Sequence, residues 1–357
     1  VYFAISVDPA RAPELEGLRQ AAATIVEGLP GVASATVTLT AEREPGSASA
    51  SPVPAPSTPL KAATASTGRA APSGAAAPGL SQTRRQGSAG IPGIRHVIAV
   101  ASGKGGVGKS TTAVNLALAL KDQGLEVGIL DADIYGPSMP RLFGLTGQPQ
   151  QLAGNKLDPM RRYGLKVMSM GFLVDEATPM IWRGPMVISA ISQMLKDVAW
   201  GELDVLVVDM PPGTGDAQLT MAQQVPLAGS VIVSTPQDLA LIDARKGINM
   251  FSKVNVPVLG IVENMSTFIC PHCGGRSDIF GHGGARAEAE KLGVPFLGEV
   301  PLTMVVRERS DSGEPVVASA PDSEVAQAYR QIAQTAWAEI ERASGEARPA
   351  PKIVMES

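Results

Sequence analysis

Cysteine, histidine and aromatic side chains are scarce in this chain of 357 residues, with two cysteines, three histidines and 4% aromatic residues. Cys270 and Cys273 lie too close in sequence for a disulfide framework, so we expect a reducing compartment and a ligand or redox role for them. No uncharged apolar run approaches the roughly 18 to 20 residues of a membrane-spanning helix, and the first residues lack the order of a signal peptide. We therefore expect a cytoplasmic protein that does not enter a membrane.

A large charge of either sign is also missing, since the net charge is −4. This balance gives no general attraction to nucleic acid or to an anionic membrane surface. Residues 46–95 contain five basic residues and no acidic one. Because the whole chain has a net charge of −4, the remaining residues together carry a net charge of −9. The folded parts are therefore predicted to be acidic, and nucleic acid is not an expected partner.

Composition divides the chain into four parts. In residues 1–43, apolar and polar residues first alternate, apolar residues then recur at helical spacing, and the alternation follows again. This pattern predicts a strand, a helix and a strand of a small α+β domain. This segment is too short for a core of its own and begins at Val1 without a methionine, so we expect the start of that domain to be missing. Residues 44–93 are rich in Ala, Pro, Ser and Gly, which is typical of a disordered linker. Residues 94–343 are the predicted main domain, and residues 344–357 are a tail.

Short apolar runs alternate with helical segments throughout residues 94–343. Runs without a polar face indicate strands of a mostly parallel sheet that helices cover on both sides. The predicted strands are HVIAVAS, EVGILDAD, LKVMSMG, LDVLVVDM, GSVIVST, PVLGIVENM and PFLGEV. The predicted fold is a three-layer α/β domain.

The segment GKGGVGKST follows the first of these strands and opens a helix. Strand, loop and helix in this order are the setting of a phosphate-binding loop, G-x-x-x-x-G-K-[ST]. Its glycines let backbone amides approach phosphate oxygens, and the helix N-terminus adds partial positive charge. Lys109 is then predicted to contact the β- and γ-phosphates, and Ser110 to bind Mg²⁺. The predicted nucleotide-binding residues of the loop are Gly103, Lys104, Gly105, Gly106, Val107, Gly108, Lys109, Ser110 and Thr111.

Carboxylates follow two other predicted strands, at the edge where ligands bind in open parallel sheets. Asp209 ends the strand in LDVLVVDMPPGTGD, where it is predicted to hold Mg²⁺ through water. Asp131 and Asp133 lie just past the strand in GILDADIYGPS. Helix capping or surface charge is the alternative for each of the three.

The segment CPHCGG places Cys270 and Cys273 at a spacing that lets both sulfurs face one ligand. One pair supplies half of the four thiolates that a [4Fe-4S] cluster or a structural zinc ion takes. A two-fold dimer doubles the pair, which favours a cluster that bridges two subunits. The alternatives are zinc bound within one chain by both cysteines and His272 or His282, and a redox disulfide.

Seven motifs resemble, in order and spacing, the Mrp/ApbC family of P-loop ATPases that carry iron-sulfur clusters. They are GKGGVGKST, LDADIYGPSMP, IWRGPM, LDVLVVDMPPGTGD, STPQDLALIDARKG, GIVENMS and CPHCGG. The resemblance covers nearly all of residues 94–343. Residues 1–43 are similar to the end of the small iron-sulfur-assembly domain that is often fused ahead of this ATPase.

The resemblance implies roles for single residues. Lys104, the second lysine of the loop, is shared with a wider group that includes MinD, ParA and the nitrogenase iron protein. In that group it reaches the phosphates bound by the partner subunit of a face-to-face dimer. Asp133 matches the aspartate that orients the attacking water, Asp131 lies near Mg²⁺, and Asn264 matches a position that reads the adenine edge. Lys104, Lys109 and Asp133 are thus the predicted catalytic residues.

The implied function is a homodimeric ATPase with slow, switch-like turnover. It carries a bridging [4Fe-4S] cluster and transfers it to recipient apoproteins, with an iron-sulfur scaffold as a further partner. The rival is a ParA- or MinD-like positioning ATPase that binds DNA or membrane as an ATP dimer. The acidic domain lacks a basic stripe and the C-terminus lacks a basic amphipathic helix, which argues against the rival. Neither version of the rival needs the C-x-x-C pair.

Two further features are interpreted as structural. Trp182 in IWRGP is predicted to be a packing anchor. The alternative is a position of Trp182 and Arg183 against the switch region, for which the resemblance implies the segment MPPGTGD. Four methionines are predicted to fill the core, namely Met168, Met170, Met210 and Met221.

Overall fold

The computed structural model describes residues 2–7, 16–28, 36–41, 90–174 and 184–345. The chain divides into two compact units, residues 1–80 and 81–357. The predicted linker lies outside the described residues except for residues 90–93, and so does the predicted tail beyond Gly345. Trp182 and Arg183 lie outside them as well.

In the first unit, strands β1 (Tyr2–Val7) and β2 (Thr36–Ala41) pair in parallel, and helix α1 (Glu16–Glu27) separates them in the chain. The predicted order of strand, helix and strand is present. A parallel pair requires a crossover connection, which α1 supplies. Ile25, which the helical spacing places on the apolar face of α1, is 69% exposed. The described residues therefore leave the Ile25 side chain uncovered.

The second unit alternates strands and helices. Its strands are β3 (Ile94–Ala101), β4 (Val127–Asp131), β5 (Met160–Arg162), β6 (Leu165–Ser169), β7 (Leu203–Asp209), β8 (Gly229–Ser234), β9 (Val258–Ile269), β10 (Arg276–Ser277) and β11 (Phe296–Leu302). Its helices are α2 (Lys109–Lys121), α3 (Met139–Leu142), α4 (Gly184–Asp197), α5 (Asp216–Gln224), α6 (Asp238–Lys253), α7 (Gly284–Leu292), α8 (Met304–Asp311), α9 (Val316–Ser319) and α10 (Glu324–Gly345). None of the described helices combines the length and the apolar composition of a membrane-spanning helix.

The nine strands form one sheet in the order β10-β9-β8-β3-β7-β4-β6-β5, with β11 also paired to β9. Only β5 and β10 run antiparallel to their neighbours among these described strands. All seven predicted strands are present. The sequence did not predict β5 and β10, because strands of three and two residues are too short to show an alternating pattern.

Alternate residues of the strands enter two hydrophobic cores, one on each face of the sheet. Along β3, Ile98 and Val100 belong to the core that contains α2 and α10, whereas Val97 and Ala99 belong to the core that contains α4, α5, α6 and α7. This follows from the period of two along a strand. The predicted three-layer arrangement is thus confirmed. The four methionines predicted as core residues, Met168, Met170, Met210 and Met221, are all buried.

The carboxyl ends of neighbouring strands meet at one edge of the sheet. Asp131 at the end of β4 lies opposite Ser169 of β6 and opposite Asp209 of β7. Val100, near the end of β3, also lies opposite Asp209. The glycine-rich loop that leaves β3 and the predicted carboxylates therefore share this edge, because parallel strands end on the same side.

Candidate functional site

The glycine-rich loop joins β3 to α2, and three of its glycines cannot be replaced without strain or overlap. Gly106 and Gly108 have φ values of 79° and 80°, which L-residues rarely adopt. A Cβ on Gly108 would overlap the Asn264 side-chain amide, and one on Gly103 would overlap the backbone of Asp243 in α6. The loop is thus packed between β9 and α6, and its residues Gly105 and Gly106 are exposed to solvent.

Lys109 is buried at the start of α2, and its ammonium group lies between acidic groups. Its Nζ is 2.6 Å from Asp209 Oδ1, 3.2 Å from Ser110 Oγ and 4.0 Å from Asp133 Oδ2. Only 6% of the lysine side chain is exposed, and that of Asp209 is fully buried. The structure therefore brings together the predicted lysine, serine and two of the three predicted aspartates. A polyphosphate bound here would compete with Asp209 for the ammonium group.

The second carboxylate oxygen of Asp209 is the polar atom that fits a cation. Oδ2 is buried and has no hydrogen-bond partner among the described residues. Burial raises the pKa of Asp209, while the Lys109 charge opposes the rise. A buried acceptor without a donor is costly, and a cation or its water would satisfy it. Asp209 and Ser110 are the residues that would hold Mg²⁺ here.

Asp131 is occupied by protein donors. Oδ2 accepts hydrogen bonds from the Ser138 amide at 2.9 Å, the Met139 amide at 3.1 Å and the Ser169 hydroxyl at 3.0 Å. Oδ1 accepts from the Asp133 amide at 3.1 Å. Burial, with the neighbouring Asp209 charge, raises the pKa of Asp131 to about 7. These contacts give Asp131 a role in holding the loop that bears Asp133, and they leave little of the carboxylate for direct binding of magnesium.

Asp133 reaches toward the same lysine from that loop. Its side chain is 13% exposed, and its Oδ2 lies at the 4.0 Å limit of an ion pair with Lys109. Burial raises the pKa of Asp133, and the Lys109 charge opposes the rise. The carboxylate is therefore placed beside the phosphate-binding loop and is still reached by solvent. Its action on an attacking water stays a prediction.

The two lysines of the loop differ sharply in their surroundings. Lys104 is partly exposed, and its backbone carbonyl accepts a hydrogen bond from Ser102 Oγ at 2.8 Å. Within the described part of the chain, its ammonium group has no carboxylate within 4.0 Å, whereas Lys109 has two. The charge of Lys104 is thus available to a ligand from outside the chain.

Asn264 contacts the phosphate-binding loop directly, across 157 positions of sequence. Its Nδ2 donates a 2.8 Å hydrogen bond to the Val107 carbonyl, and its side chain is nearly buried. This gives Asn264 a role in fixing the loop that the sequence did not indicate. The predicted contact with adenine stays a prediction. Ser169, which donates to Asp131, was also missed, and its place at the end of a predicted strand was the available signal.

Cys270 and Cys273 lie in the tight connection between β9 and β10. The Cys270 amide donates to the Gly275 carbonyl and the Gly274 amide donates to the Cys270 carbonyl, both at 2.9 Å. Gly274 has a φ of 71°, which the turn requires. Backbone hydrogen bonds from His272 and Cys273, with one from the Cys273 side chain, lower the pKa of the Cys270 thiol. The thiols are free, with Cys270 partly and Cys273 largely exposed, so both are available as metal ligands.

The structure does not bring a histidine to the two cysteines. Among the described residues, no histidine joins both thiols in a set with metal-ligand spacing. His282 instead lies beside Glu263 and Glu299. The described residues therefore supply no third ligand for the alternative of a zinc ion bound within one chain.

These features define a class. Strand β3 of a parallel sheet leads through a glycine-rich loop into α2, and the loop lysine pairs with an aspartate at the end of β7. This is the arrangement of a P-loop NTPase. The model of the ParA family described as NUBPL iron-transfer P-loop NTPase matches residues 93–337. The chain belongs to this family.

Known relatives agree with this assignment. The iron-sulfur cluster transfer protein NUBPL of Mus musculus is 59% identical over 245 residues, which are 68% of this chain and 77% of the relative. The iron-sulfur cluster carrier protein of Escherichia coli K12 is 56% identical over 252 residues, which are 70% of this chain and 68% of the relative. A nucleotide-binding protein of Archaeoglobus fulgidus, solved with ADP, has a TM-score of 0.58 at 43% identity and covers 66% of this chain and 91% of its own.

Proposed function

We propose that this protein is an ATP-hydrolysing carrier of iron-sulfur clusters. Two copies bind ATP and Mg²⁺, hold one [4Fe-4S] cluster between them, and pass it from a scaffold to recipient apoproteins. The names of the mouse and Escherichia coli relatives describe transfer or carriage of such clusters. The thiol pair, which a carrier needs and a positioning ATPase does not, supports the same function in this chain.

Strand β9 is the observation on which the proposal depends most. Asn264, in this strand, holds the Val107 carbonyl of the phosphate-binding loop. Cys270 directly follows the end of the same strand at Ile269. The two positions are about 20 Å apart at the rise of an extended strand. A change in the loop on nucleotide binding is therefore proposed to reach the thiols along this one strand, which is buried at Asn264 and reaches the surface at Ile269.

A dimer completes both sites in the proposal. Cys270 and Cys273 of two copies supply the four thiolates that a [4Fe-4S] cluster takes. Lys104, whose charge has no carboxylate partner in the described part of the chain, is proposed to contact phosphates bound by the other copy. Such a contact stabilises negative charge on the phosphoryl oxygens during hydrolysis.

Hydrolysis is proposed to be slow and to act as a switch. Lys109 binds the β- and γ-phosphates, Ser110 and Asp209 hold Mg²⁺ with Asp131 behind them, and Asp133 orients the water. Asp133→Asn is then expected to bind ATP and to release phosphate at least about tenfold more slowly, because general-base or positioning groups contribute about 10²-fold or more. Unchanged phosphate release would remove Asp133 from this role.

The location and the terminal parts are also proposals. We expect the protein in the cytoplasm, with no nucleic acid and no membrane as partner. Residues 1–43 are proposed to be part of a small iron-sulfur-assembly-like domain tethered by residues 44–93, with residues 94–343 as the ATPase and 344–357 as a tail. Expression of residues 90–345 alone, followed by assays of ATPase and cluster transfer, would measure what the first unit adds.

The direct test is anaerobic reconstitution with iron and sulfide, followed by transfer to an apoprotein that requires a [4Fe-4S] cluster. We expect an absorbing, EPR-active cluster upon reduction, and transfer that depends on nucleotide. The matched variant Lys109→Ala should still load the cluster and lose the nucleotide dependence. A protein that stays colourless and metal-free under these conditions would favour the positioning ATPase.

A further inference from the structure

Three side chains with metal-binding atoms meet at a point that includes the residue just before Asn264 in β9, and none of them belongs to the nucleotide loop or the cysteine pair. Glu263 lies in β9, Glu299 in β11, and His282 in the segment before α7. One ligand atom of each lies within 4.8 Å of the others. We propose that this group, named here the Glu-His-Glu group, binds one divalent transition-metal ion. The proposal does not rest on the carrier function.

The spacing of the three ligand atoms leaves a gap that their own contacts do not fill. His282 Nδ1 is 3.9 Å from Glu263 Oε1 and 3.8 Å from Glu299 Oε2. Both distances exceed the roughly 3.2 Å of a hydrogen bond. A tetrahedral zinc ion with bonds of about 2.0 to 2.2 Å separates its ligand atoms by about 3.4 Å. Shifts of a few tenths of an ångström would thus bring His282 to this distance from each carboxylate, and the ligand atoms of the two carboxylates lie within 4.8 Å of each other.

The two carboxylates face each other because of the strand register. Glu263 and Glu299 are direct partners in the parallel pairing of β9 and β11. Like charges at opposed positions of a sheet destabilise it unless a cation lies between them. A protonated imidazole supplies one positive charge for two carboxylates, whereas a divalent cation supplies two. The charge of the group is therefore matched by a divalent ion bound to a neutral imidazole.

Glu263 is held in place as metal ligands usually are. Its carboxylate accepts hydrogen bonds from the Gly283 amide at 2.9 Å and the Ala285 amide at 2.7 Å, and its side chain is fully buried. These bonds fix the carboxylate and also the residue next to His282 in the chain. Hydrogen bonds of this kind orient ligands before a metal ion binds. Each carboxylate oxygen keeps a second lone pair for the ion.

The remaining positions of the ion are open to water. His282 and Glu299 side chains are 35% and 39% exposed. One imidazole and two carboxylates suit zinc, cobalt(II) or iron(II) better than magnesium or calcium, which prefer oxygen ligands alone. The cysteine-bearing segment begins directly after β9 and ends at His282, so a bound ion would tie the far end of that segment to the sheet.

The test uses the full chain with Cys270→Ala and Cys273→Ala, because thiolates would otherwise bind the probe. Calorimetric titration with Zn²⁺ should show one site per chain. Titration with Co²⁺ should show ligand-field absorption without a thiolate charge-transfer band. Adding His282→Ala or Glu299→Gln should weaken zinc binding at least about tenfold, since loss of a supporting residue alone costs 10- to 100-fold.

His272→Ala in the same background is the control, because His272 is an exposed histidine outside the group. It should leave zinc binding unchanged. Glu299→Gln keeps the size of a partly exposed side chain, so its circular dichroism should match that of the parent. No zinc site in the parent, or equal affinity in the His282→Ala and His272→Ala chains, would overturn the proposal.

Discussion

The phosphate-binding loop and the cysteine turn are built in opposite ways. Lys109 is buried and has a carboxylate and a hydroxyl within hydrogen-bond distance in its own chain. The cysteines lie at the surface, and the contacts of Cys270 come from backbone amides and from the other thiol. The nucleotide site is thus largely formed inside one chain, whereas the thiol pair offers two of the four thiolates that a [4Fe-4S] cluster takes. From this difference we expect nucleotide binding to be a property of the single chain and cluster binding to be a property of two chains.

The largest expected effect comes from removing half of the ligand set. Cys270→Ala or Cys273→Ala should lower the iron content after reconstitution more than tenfold, because symmetry removes two of four thiolates at once. ATP affinity should not change, since the loop takes no contact from these residues. Iron analysis and nucleotide titration of the same preparations measure both. His272→Ala, between the cysteines, is the matched control, and a loss of iron in this control equal to that in the cysteine variants would contradict the assignment.

The two lysines of the phosphate-binding loop allow nucleotide binding and hydrolysis to be tested separately. Lys109→Ala should weaken ATP binding about 100-fold or more, because hydrogen bonds to charged groups contribute about 1.5 to 3 kcal/mol each. Lys104→Ala should bind ATP normally and fail to hydrolyse it or to tighten the dimer. Calorimetry, phosphate release and light scattering test these outcomes.

The same experiment needs a check on folding, since Lys109→Ala leaves Asp209 buried without its cation. Circular dichroism at the assay temperature supplies it. An equal loss of ATP affinity in Lys104→Ala and Lys109→Ala would show that Lys104 acts within its own chain, and the contrast between the lysines would be wrong.

A smaller effect is expected where the two regions are connected. Asn264→Ala removes one buried hydrogen bond and leaves the Val107 carbonyl without this partner. A loss of about 1 kcal/mol corresponds to about fivefold weaker ATP binding. Nucleotide-dependent cluster transfer should weaken further, because β9 loses its contact with the loop. Asn249→Ala, an exposed position of α6, is the control. Transfer that stays fully coupled to ATP in Asn264→Ala would contradict the role of β9.

The smallest effect concerns the Cys270 thiol alone. Backbone amides lower the pKa of Cys270 in the folded chain, and thiolates are the form that alkylating agents attack. In a Cys273→Ala chain, alkylation of Cys270 by iodoacetamide should therefore rise at lower pH in the folded state than in urea. Mass spectrometry of samples quenched at a series of pH values measures the alkylated fraction. The same pH dependence of alkylation in both states would show that the turn does not lower the pKa of the Cys270 thiol.

Much of this architecture is visible in the sequence, because strands apolar on both faces and a glycine-rich loop are local patterns. The loop from Gly103 to Ser110, the strand-end aspartates and the cysteine spacing all follow from such patterns. The contact of Asn264 with Val107 does not, since 157 positions separate them. The Glu-His-Glu group depends on the register of β9 with β11, which alternation alone cannot fix. Sequence thus predicts which residues line the sheet edge, and the structure shows which of them already have partners.

Native mass spectrometry of the anaerobically reconstituted protein tests the central claim most directly, because it reports chains and clusters in one particle. A bridging cluster predicts a species of two chains with four iron and four sulfide atoms, which separates into cluster-free single chains when Cys270 and Cys273 are both replaced by alanine. A single chain that retains a complete [4Fe-4S] cluster, or a dimer with one cluster on each chain, would contradict it.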